Sequence, residues 1–364
     1  MLNTDLLKNE ELAVFKLRNL YSSFGYSQFK MSKFEEYDLY VKNKDFLISD
    51  RIITFTDTNG KLLALKPDVT LSIINNYKSN NPGVQKMYYN ENVYRVSGAG
   101  GRFREIMQTG LECIGKTGIY EITEVLYLAI KSLQLIDEDF RIELSHAALL
   151  SSLIGEAQFA SDVKNDVLEA LKIKSSGLCE GLLRDGKITS QQLELINMLN
   201  TNFRNMDEFM NAVMPFAKSD DSKKYLDEFR EIIQGVSSEE TNNRLTVNFS
   251  LASDAGYYSG LVFKGYINGI PVSVLSGGQY DKLMKKFGEN AGAVGFAVYL
   301  DSFERFKSVN NEYDVDTVII IKDTDNKKKV FEAAEKLIEK GEKVYVHTEA
   351  PDNLRYRRMW EWEG

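Results

Sequence analysis

YRVSGAGGRFREIMQTGLECIG, residues 94–115, is the stretch on which the fold turns. A short glycine-rich loop, SGAGG at 97–101, separates two strand-like runs, VQKMYYNENVYRV (84–96) and FREIMQTGLECI (103–114). Side chains alternate across a strand, so Gln108 and Glu112, four residues apart, share one face of the second run. A buried carboxylate without a partner is expensive. The pair therefore reads as a ligand contact, against the plainer alternative of polar residues satisfied inside a core.

Working outward, IITFTDTNGKLLALKPD (52–68) holds two alternating apolar runs around Asn59-Gly60, the strongest short hairpin signal. A helix-like LSIINNYKS follows. Residues 9–24 carry Val14, Leu17, Tyr21 and Phe24 at helical steps, with Gly25 placed to end the helix. Beyond the opening stretch, ITEVLYLAIKSLQLI (122–136) is a long helical segment. From about 146 to 238 the pattern is helical and poor in β-branched runs, which predicts an all-helical insertion. RLTVNFSL, YYSGLVFKGYI and IPVSVLSGGQYD then return to strand patterns and predict an antiparallel meander. AVGFAVYLDSFERF closes this unit near residue 308.

A polar stretch, NNEYD at 310–314, precedes a second unit over 315–364. There DTVIIIK, NKKKVFEAAEKLIEKG and KVYVHTE read as strand, helix and strand, a single βαβ unit. The tail LRYRRMWEWEG reads as a solvated or docked terminus. The predicted fold class is α+β: a largely antiparallel sheet core over 1–308 with a helical insertion, plus a short C-terminal βαβ segment.

The chain has 364 residues, 43% hydrophobic and 27% charged, the balance of a globular protein with a substantial core. Its net charge of -8 argues against a protein built to grip phosphate backbones, so no nucleic-acid partner is expected. No apolar run reaches the roughly 18 residues of a spanning helix, and the N-terminus lacks a basic, then apolar, leader. No membrane partner and a cytoplasmic location are the expectation. Cys113 and Cys179 have no metal-ligand spacing. With only His146 and His347 present, histidine-based metal sites and Ser-His or Cys-His catalysis are all but excluded, and both histidines are assigned structural roles.

Five segments, in order and spacing, carry a family resemblance: LRNLYSSFGYSQFKMSKFEEYDLY, TFTDTNGKLLALKPDVT, the opening stretch, DAGYYSGLVFKGY, and SGGQYDKL with AVGFAVYLDSF. Over roughly residues 8–308 they resemble the catalytic core of histidyl-tRNA synthetases, a class II aminoacyl-tRNA synthetase-like fold. The resemblance implies a histidine pocket. Asp68 and Thr70 would hold the α-amino group, and Gln108 and Glu112 the polar ends of the amino acid. Tyr257 and Tyr258 would lie beside the imidazole, with Tyr280 from the GG-x-YD turn. Arg95 and Arg102 of motif 2 are retained.

The activation machinery departs from that pattern. The Glu-Arg that closes motif 3 reads Asp301-Ser302, with Arg305 displaced round a helix, and the small residue ahead of it reads Tyr299. The catalytic arginine of the loop before the tyrosines falls on Ser253, and its aspartate on Gly256. The motif 2 loop is shortened to VSGAGG, and GG-Arg-Tyr-Asp has become GG-Gln279-Tyr-Asp. Each lost transition-state donor is worth roughly 2.7–4 kcal/mol.

In these departures the chain resembles the regulatory subunits of ATP phosphoribosyltransferase. That resemblance implies no catalysis, no cofactor and histidine as feedback effector. It also implies a short-form catalytic subunit as partner and a homodimer within a hetero-oligomer. The alternatives are a degenerate but working histidyl-tRNA synthetase-like enzyme and a scaffold that binds no ligand.

Overall fold

The computed structural model describes residues 9–44, 51–77, 83–97, 101–252, 257–301 and 312–363. They fall into two compact units, Met1–Phe306 and Lys307–Gly364. In the first, α1 (Asn9–Ser23) leads to β1 (Ser27–Gln28), β2 (Phe34–Glu36) and α2 (Tyr37–Val41). A hairpin of β3 (Thr54–Thr56) and β4 (Leu62–Leu65) precedes α3 (Val69–Asn75). The long pair β5 (Val84–Ser97) and β6 (Arg102–Gly115) is followed by α4 (Ile119–Ile136) and β7 (Phe140–His146). Helices α5 (Ala147–Glu156), α6 (Ser161–Lys172), α7 (Ser176–Arg184), α8 (Ser190–Asn200), α9 (Met206–Val213) and α10 (Asp220–Val236) come next. The unit continues through β8 (Leu245–Val247), β9 (Leu261–Ile267), β10 (Leu275–Gln279), α11 (Asp281–Lys286) and β11 (Gly292–Tyr299).

Among the described residues, eight strands form the main sheet in the order β1-β5-β6-β11-β10-β9-β7-β8. Its interior pairs are antiparallel, as the meander and the long β5–β6 pair predict. Both edges are parallel instead, β1 with β5 and β8 with β7. The expected strand over RLTVNFSL is thereby corrected. Only Leu245–Val247 is extended, it lies outside the meander, and Phe249–Ala252 turns into a 3-10 helix.

One sheet face is covered by α1 and α4. Leu17 and Tyr21 pack there with Ile122, Val125, Leu126, Ala129 and Leu133, all buried. The polar exceptions are paired across elements. Tyr21 and Ser132 hydroxyls lie 3.0 Å apart, and the buried Glu124 accepts from Lys86 Nζ at 2.6 and 2.8 Å and from Tyr26 at 3.0 Å. The opposite face carries a second cluster, in which Ala64, Val69, Ile73, Tyr89 and Ile114 meet Tyr280 and Leu283. A three-stranded sheet, β2-β4-β3, belongs to this side. Its hairpin turns as the Asn-Gly signal requires: Gly60 has φ +81°, and Asp57 accepts from the Asn59 and Lys61 backbone N–H groups, both at 2.8 Å.

Helices α5–α10 extend the same hydrophobic core that lies under α1 and α4, and within it Phe209 meets Phe203, Phe229 and Phe249. Ser175, Thr189, Asn205 and Ser219 cap four of them, each satisfying an otherwise orphaned backbone donor. His146 has the structural role expected of it. Its Nδ1 accepts the Leu149 N–H at 3.1 Å to cap α5, and its ring packs against Tyr225 and Phe229 of α10. Cys113 and Cys179 are buried free thiols. No helix among the described residues is long and apolar enough to cross a membrane.

The second unit contains β12 (Val315–Ile320), α12 (Lys327–Ile338), β13 (Val344–His347) and β14 (Tyr356–Glu361). The βαβ pattern is present, and the tail adds to it. Tyr356–Glu361 pairs parallel with the free side of β12, giving the order β13-β12-β14. Arg358 anchors it, donating from Nε to Thr317 Oγ1 at 2.8 Å and from Nη2 to Glu342. His347 lies exposed at the end of β13, beside Tyr345.

Glu156 ties the helical layer together. Its carboxylate, at the end of α5, accepts from the Lys218 and Ser219 N–H groups at 2.8 and 3.2 Å and from the Ser219 hydroxyl at 2.6 Å. These bonds outweigh its partial burial and hold its pKa down at about 2. Stabilisation from this group is therefore complete above the ordinary glutamate range and fades as pH falls toward 2. Glu156→Ala is expected to lower stability by about 1–3 kcal/mol near neutral pH and by much less in strong acid, measured by urea denaturation at both pH values.

Candidate functional site

The site begins with space. Glu112 on β6 stands opposite Gly295 on β11, which stands opposite Gly278 on β10. A side chain at either glycine would collide. A Cβ at Gly295 would lie 1.7 Å from Glu112 Oε2, and one at Gly278 would lie 2.6 Å from the Tyr258 ring. The glycines thus let a carboxylate and an aromatic ring lie flat on the strands. α3 supplies one wall. Asp68 caps the helix by accepting from Leu71 N at 2.9 Å, and Thr70 in its first turn donates to Glu112 Oε1 at 2.9 Å. Tyr280, at the end of β10, donates to Glu112 Oε2.

Tyr257 and Tyr258 complete the aromatic wall. Their rings meet edge to face at 4.7 Å, and Tyr257 lies 5.9 Å from Tyr280. Tyr257 is also hydrogen-bonded with Thr70. Arg95 on β5 holds the loop ahead of α3. Its Nε donates to Pro67 O at 2.6 Å, and Nη2 lies 3.4 Å from Asp68 Oδ2.

No Lys or Arg among the described residues pairs with Glu112, which is 2% exposed. Burial therefore pushes its carboxyl up to about 8, against the hydrogen bonds from Tyr280 and Thr70 that favour ionisation. The nearby Asp68 carboxylate pushes the same way as burial. Burial also raises the Tyr257 and Tyr280 hydroxyls well above the ordinary tyrosine value, so both remain donors.

Gln108 is on the same face but four residues, about 13 Å, further along β6. It is 2% exposed and its Nε2 has no protein partner. Its cross-strand neighbours are Glu91 on β5 and Tyr299 on β11. Tyr299 is fixed by a 2.6 Å hydrogen bond between its hydroxyl and that of Ser276. Gln279 donates to Asp281 Oδ2 at 2.8 Å.

The structure thus gathers Thr70, Glu112, Tyr257, Tyr258 and Tyr280 at one point, with Asp68 and Arg95 behind Thr70 and Gln108 further along the same floor. Arg102 is exposed at the start of β6. Ser253, Gly256, Ser302, Arg305 and the centre of the SGAGG loop lie outside the described residues.

Sequence reasoning missed one neighbour, the ion pair of Lys66 with Glu91. Its Nζ···Oε2 distance is 2.7 Å and the lysine side chain is 0% exposed. The signal was Glu91 facing Gln108, a register that the loop alone does not give.

The profile of the histidyl-tRNA synthetase family matches residues 2–303. The chain belongs to the histidyl-tRNA synthetase family. Among curated relatives, the ATP phosphoribosyltransferase regulatory subunit of Clostridium kluyveri is 29% identical over 335 residues, covering 89% of this chain and 85% of that one. The subunit of the same name from Caldanaerobacter subterraneus is 28% identical, covering 79% of this chain and 75% of that one.

Among solved structures, a Bacillus halodurans protein described as an ATP phosphoribosyltransferase regulatory subunit/histidyl-tRNA synthetase superposes with a TM-score of 0.75 at 22% identity. That match covers 97% of this chain and 93% of the other. A chain of the ATP phosphoribosyl transferase (HisG:HisZ) complex from Thermotoga maritima gives 0.63 at 19% identity, covering 80% and 97%. These likenesses establish the class II synthetase-like fold inferred from the five segments.

Within this histidyl-tRNA synthetase-family core, Glu112 makes stability depend on pH with a definite sign. A raised folded-state pKa means that the folded protein holds the proton more tightly, so stability is full below the unfolded value near 4.5 and falls as pH rises toward 8. Glu112→Gln, which mimics the protonated form, is expected to flatten that decline. It should make the variant more stable than the parent by a few kcal/mol above about pH 8. Thermal unfolding between about pH 5 and 9 measures it.

Proposed function

We propose that this chain is a non-catalytic regulatory subunit of ATP phosphoribosyltransferase. In this reading it is required by a short-form catalytic subunit and carries histidine feedback inhibition of the first step of histidine biosynthesis. The observation that carries the proposal is the sheet floor itself. A buried carboxyl framed by two hydroxyls and three tyrosine rings shares one face with a buried, unpartnered amide donor at Gln108.

Glu112, with the phenols of Tyr257 and Tyr280, offers both donors and acceptors to an imidazole. Gln108 offers an N–H to a carboxylate at the other end, and Asp68 offers a negative charge to an α-amino group. Tyr299, locked to Ser276, occupies the floor beside Gln108, and the sequence has Ser302 where the family pattern has the motif 3 arginine. Both support a site that holds an amino acid without activating it. The relatives named as regulatory subunits support the same reading over most of the chain.

Regulation then means a coupling free energy between the histidine site and the partner's active site, typically 1–3 kcal/mol. Self-association into a homodimer within the hetero-oligomer belongs to the proposal, and the exposed Phe15 on α1 and Phe24 just past its end fit a covered face.

The test is reconstitution with a short-form catalytic subunit, following phosphoribosyl-ATP while histidine is titrated. Activity that needs both proteins and falls with histidine is expected. Gln108→Ala should raise the inhibitory histidine concentration about tenfold or more, the consequence of losing one hydrogen bond to a charged group. Activity that ignores histidine would retire the pocket. Histidine-dependent exchange of pyrophosphate into ATP would instead identify a working synthetase, and no stimulation would identify a scaffold.

A further inference from the structure

Glu112 lies in the gap above Gly295, among groups contributed by four elements of the described residues. From α3 come the Thr70 hydroxyl and, behind it, the Asp68 carboxylate, already matched by Arg95 of β5. From β5 come Met87 directly opposite and Tyr89 one face-step along. β11 presents Gly295 and, further along, Tyr299, and Tyr280 follows β10. The segment ahead of β9 presents Tyr257 and Tyr258.

The hydrogen bonds to the carboxyl come from hydroxyls, Thr70 on one oxygen and Tyr280 on the other. The nearest fixed charge, Asp68, is of the same sign. Lys66, a buried cation on this side of the sheet, is committed to Glu91. Among the described residues a carboxyl so placed has no counter-charge, and a ligand donor arriving on it changes which of its protonation states is favoured.

We infer that binding of histidine at this site is coupled to loss of the Glu112 proton, so that the feedback signal strengthens as pH rises. This rests on the histidine reading above and adds a regulatory input to it.

The balance is simple. In the free protein the carboxyl O–H is intact near neutral pH. When a neutral imidazole N–H is donated to the carboxyl, the O–H bond breaks, its electron pair stays on oxygen and the proton leaves to buffer. Linkage then fixes the sign. Affinity rises with pH while Glu112 is still protonated in the free protein, and levels off once it is ionised. With the carboxyl titrating at about 8, the ionised fraction rises about fivefold between pH 7 and 8 and less than twofold between 8 and 9. Free imidazole, with a pKa near 6.5, is about three-quarters neutral at pH 7 and almost wholly neutral at pH 8, so it adds only about 1.3-fold to that slope.

Isothermal calorimetry with L-histidine on the full chain tests this at about pH 7, in two buffers of different ionisation enthalpy. Release of close to one proton per histidine is expected, together with about fivefold tighter binding at pH 8 than at pH 7. Glu112→Gln should release no more than about the quarter of a proton that free imidazole carries at pH 7, and any remaining affinity should change less than about 1.5-fold between pH 7 and 8. If that variant fails to bind, the proton count of the unaltered protein still decides. Histidine binding without proton release and with a flat pH profile overturns the linkage and leaves the histidine site standing. Absence of histidine binding at every pH overturns the site itself.

Discussion

A carboxyl group buried between two strands, with hydroxyls for partners, is the constraint around which this side of the molecule is arranged. Glu112 can lie where it does because Gly295 faces it across the strand pair; a Cβ there would also stand 2.5 Å from the Leu111 carbonyl. The hydroxyls of Thr70 and Tyr280 reach it from opposite sides, so α3 and the end of β10 are both positioned by one group. The hairpin β3–β4 leads into Lys66, Pro67 and Asp68, and Arg95 clamps that passage from below. Disturbing the carboxyl therefore disturbs three elements together.

The two faces of the main sheet handle buried charge differently. Under α1 and α4, Glu124 is neutralised by Lys86 and bonded by Tyr26, an arrangement that is complete within the chain. On the opposite face Lys66 completes Glu91, while among the described residues Glu112 has no cation and Gln108 has an unused donor. Buried polar groups are nearly always satisfied, so the exceptions carry information. Gln108 Nε2 is one such exception, and it shares a face of β6 with Glu112, a carboxyl bonded by hydroxyls. That asymmetry separates a site from a core more firmly than the tyrosines do, since aromatic rings pack well on any sheet.

Much of this was legible in particular residues. Asn59-Gly60 marked the hairpin because only a turn with positive φ accommodates it, and Gly60 has that conformation. Gly25 marked the end of α1 because a helix readily stops at a residue with positive φ, and Gly25 has φ +81° just past Ser23. Gln108 and Glu112 could be placed on one face because strand alternation needs no knowledge of the partner strand. The tail LRYRRMWEWEG was harder: β14 is extended because β12 offers it a free edge, and β12 lies about forty residues upstream in the register Val318 opposite Met359. The parallel pairing of β8 with β7 was hidden for the same reason, with the helices α5–α10 intervening.

By itself, the sequence determined the local matters: where helices start, where the hairpin turns, which side chains share a strand face, and which family pattern the five segments follow. Those depend on backbone sterics and on hydrogen bonds a few residues long. Tertiary structure alone decided that, among the described residues, Glu112 meets Thr70, Tyr280 and Gly295 but no cation, that Lys66 is spent on Glu91, and that Gln108 keeps an unpaired donor. Each of these is a contact between strands or helices distant in the chain. Its outcome depends on register and burial, which the order of residues along one segment does not contain.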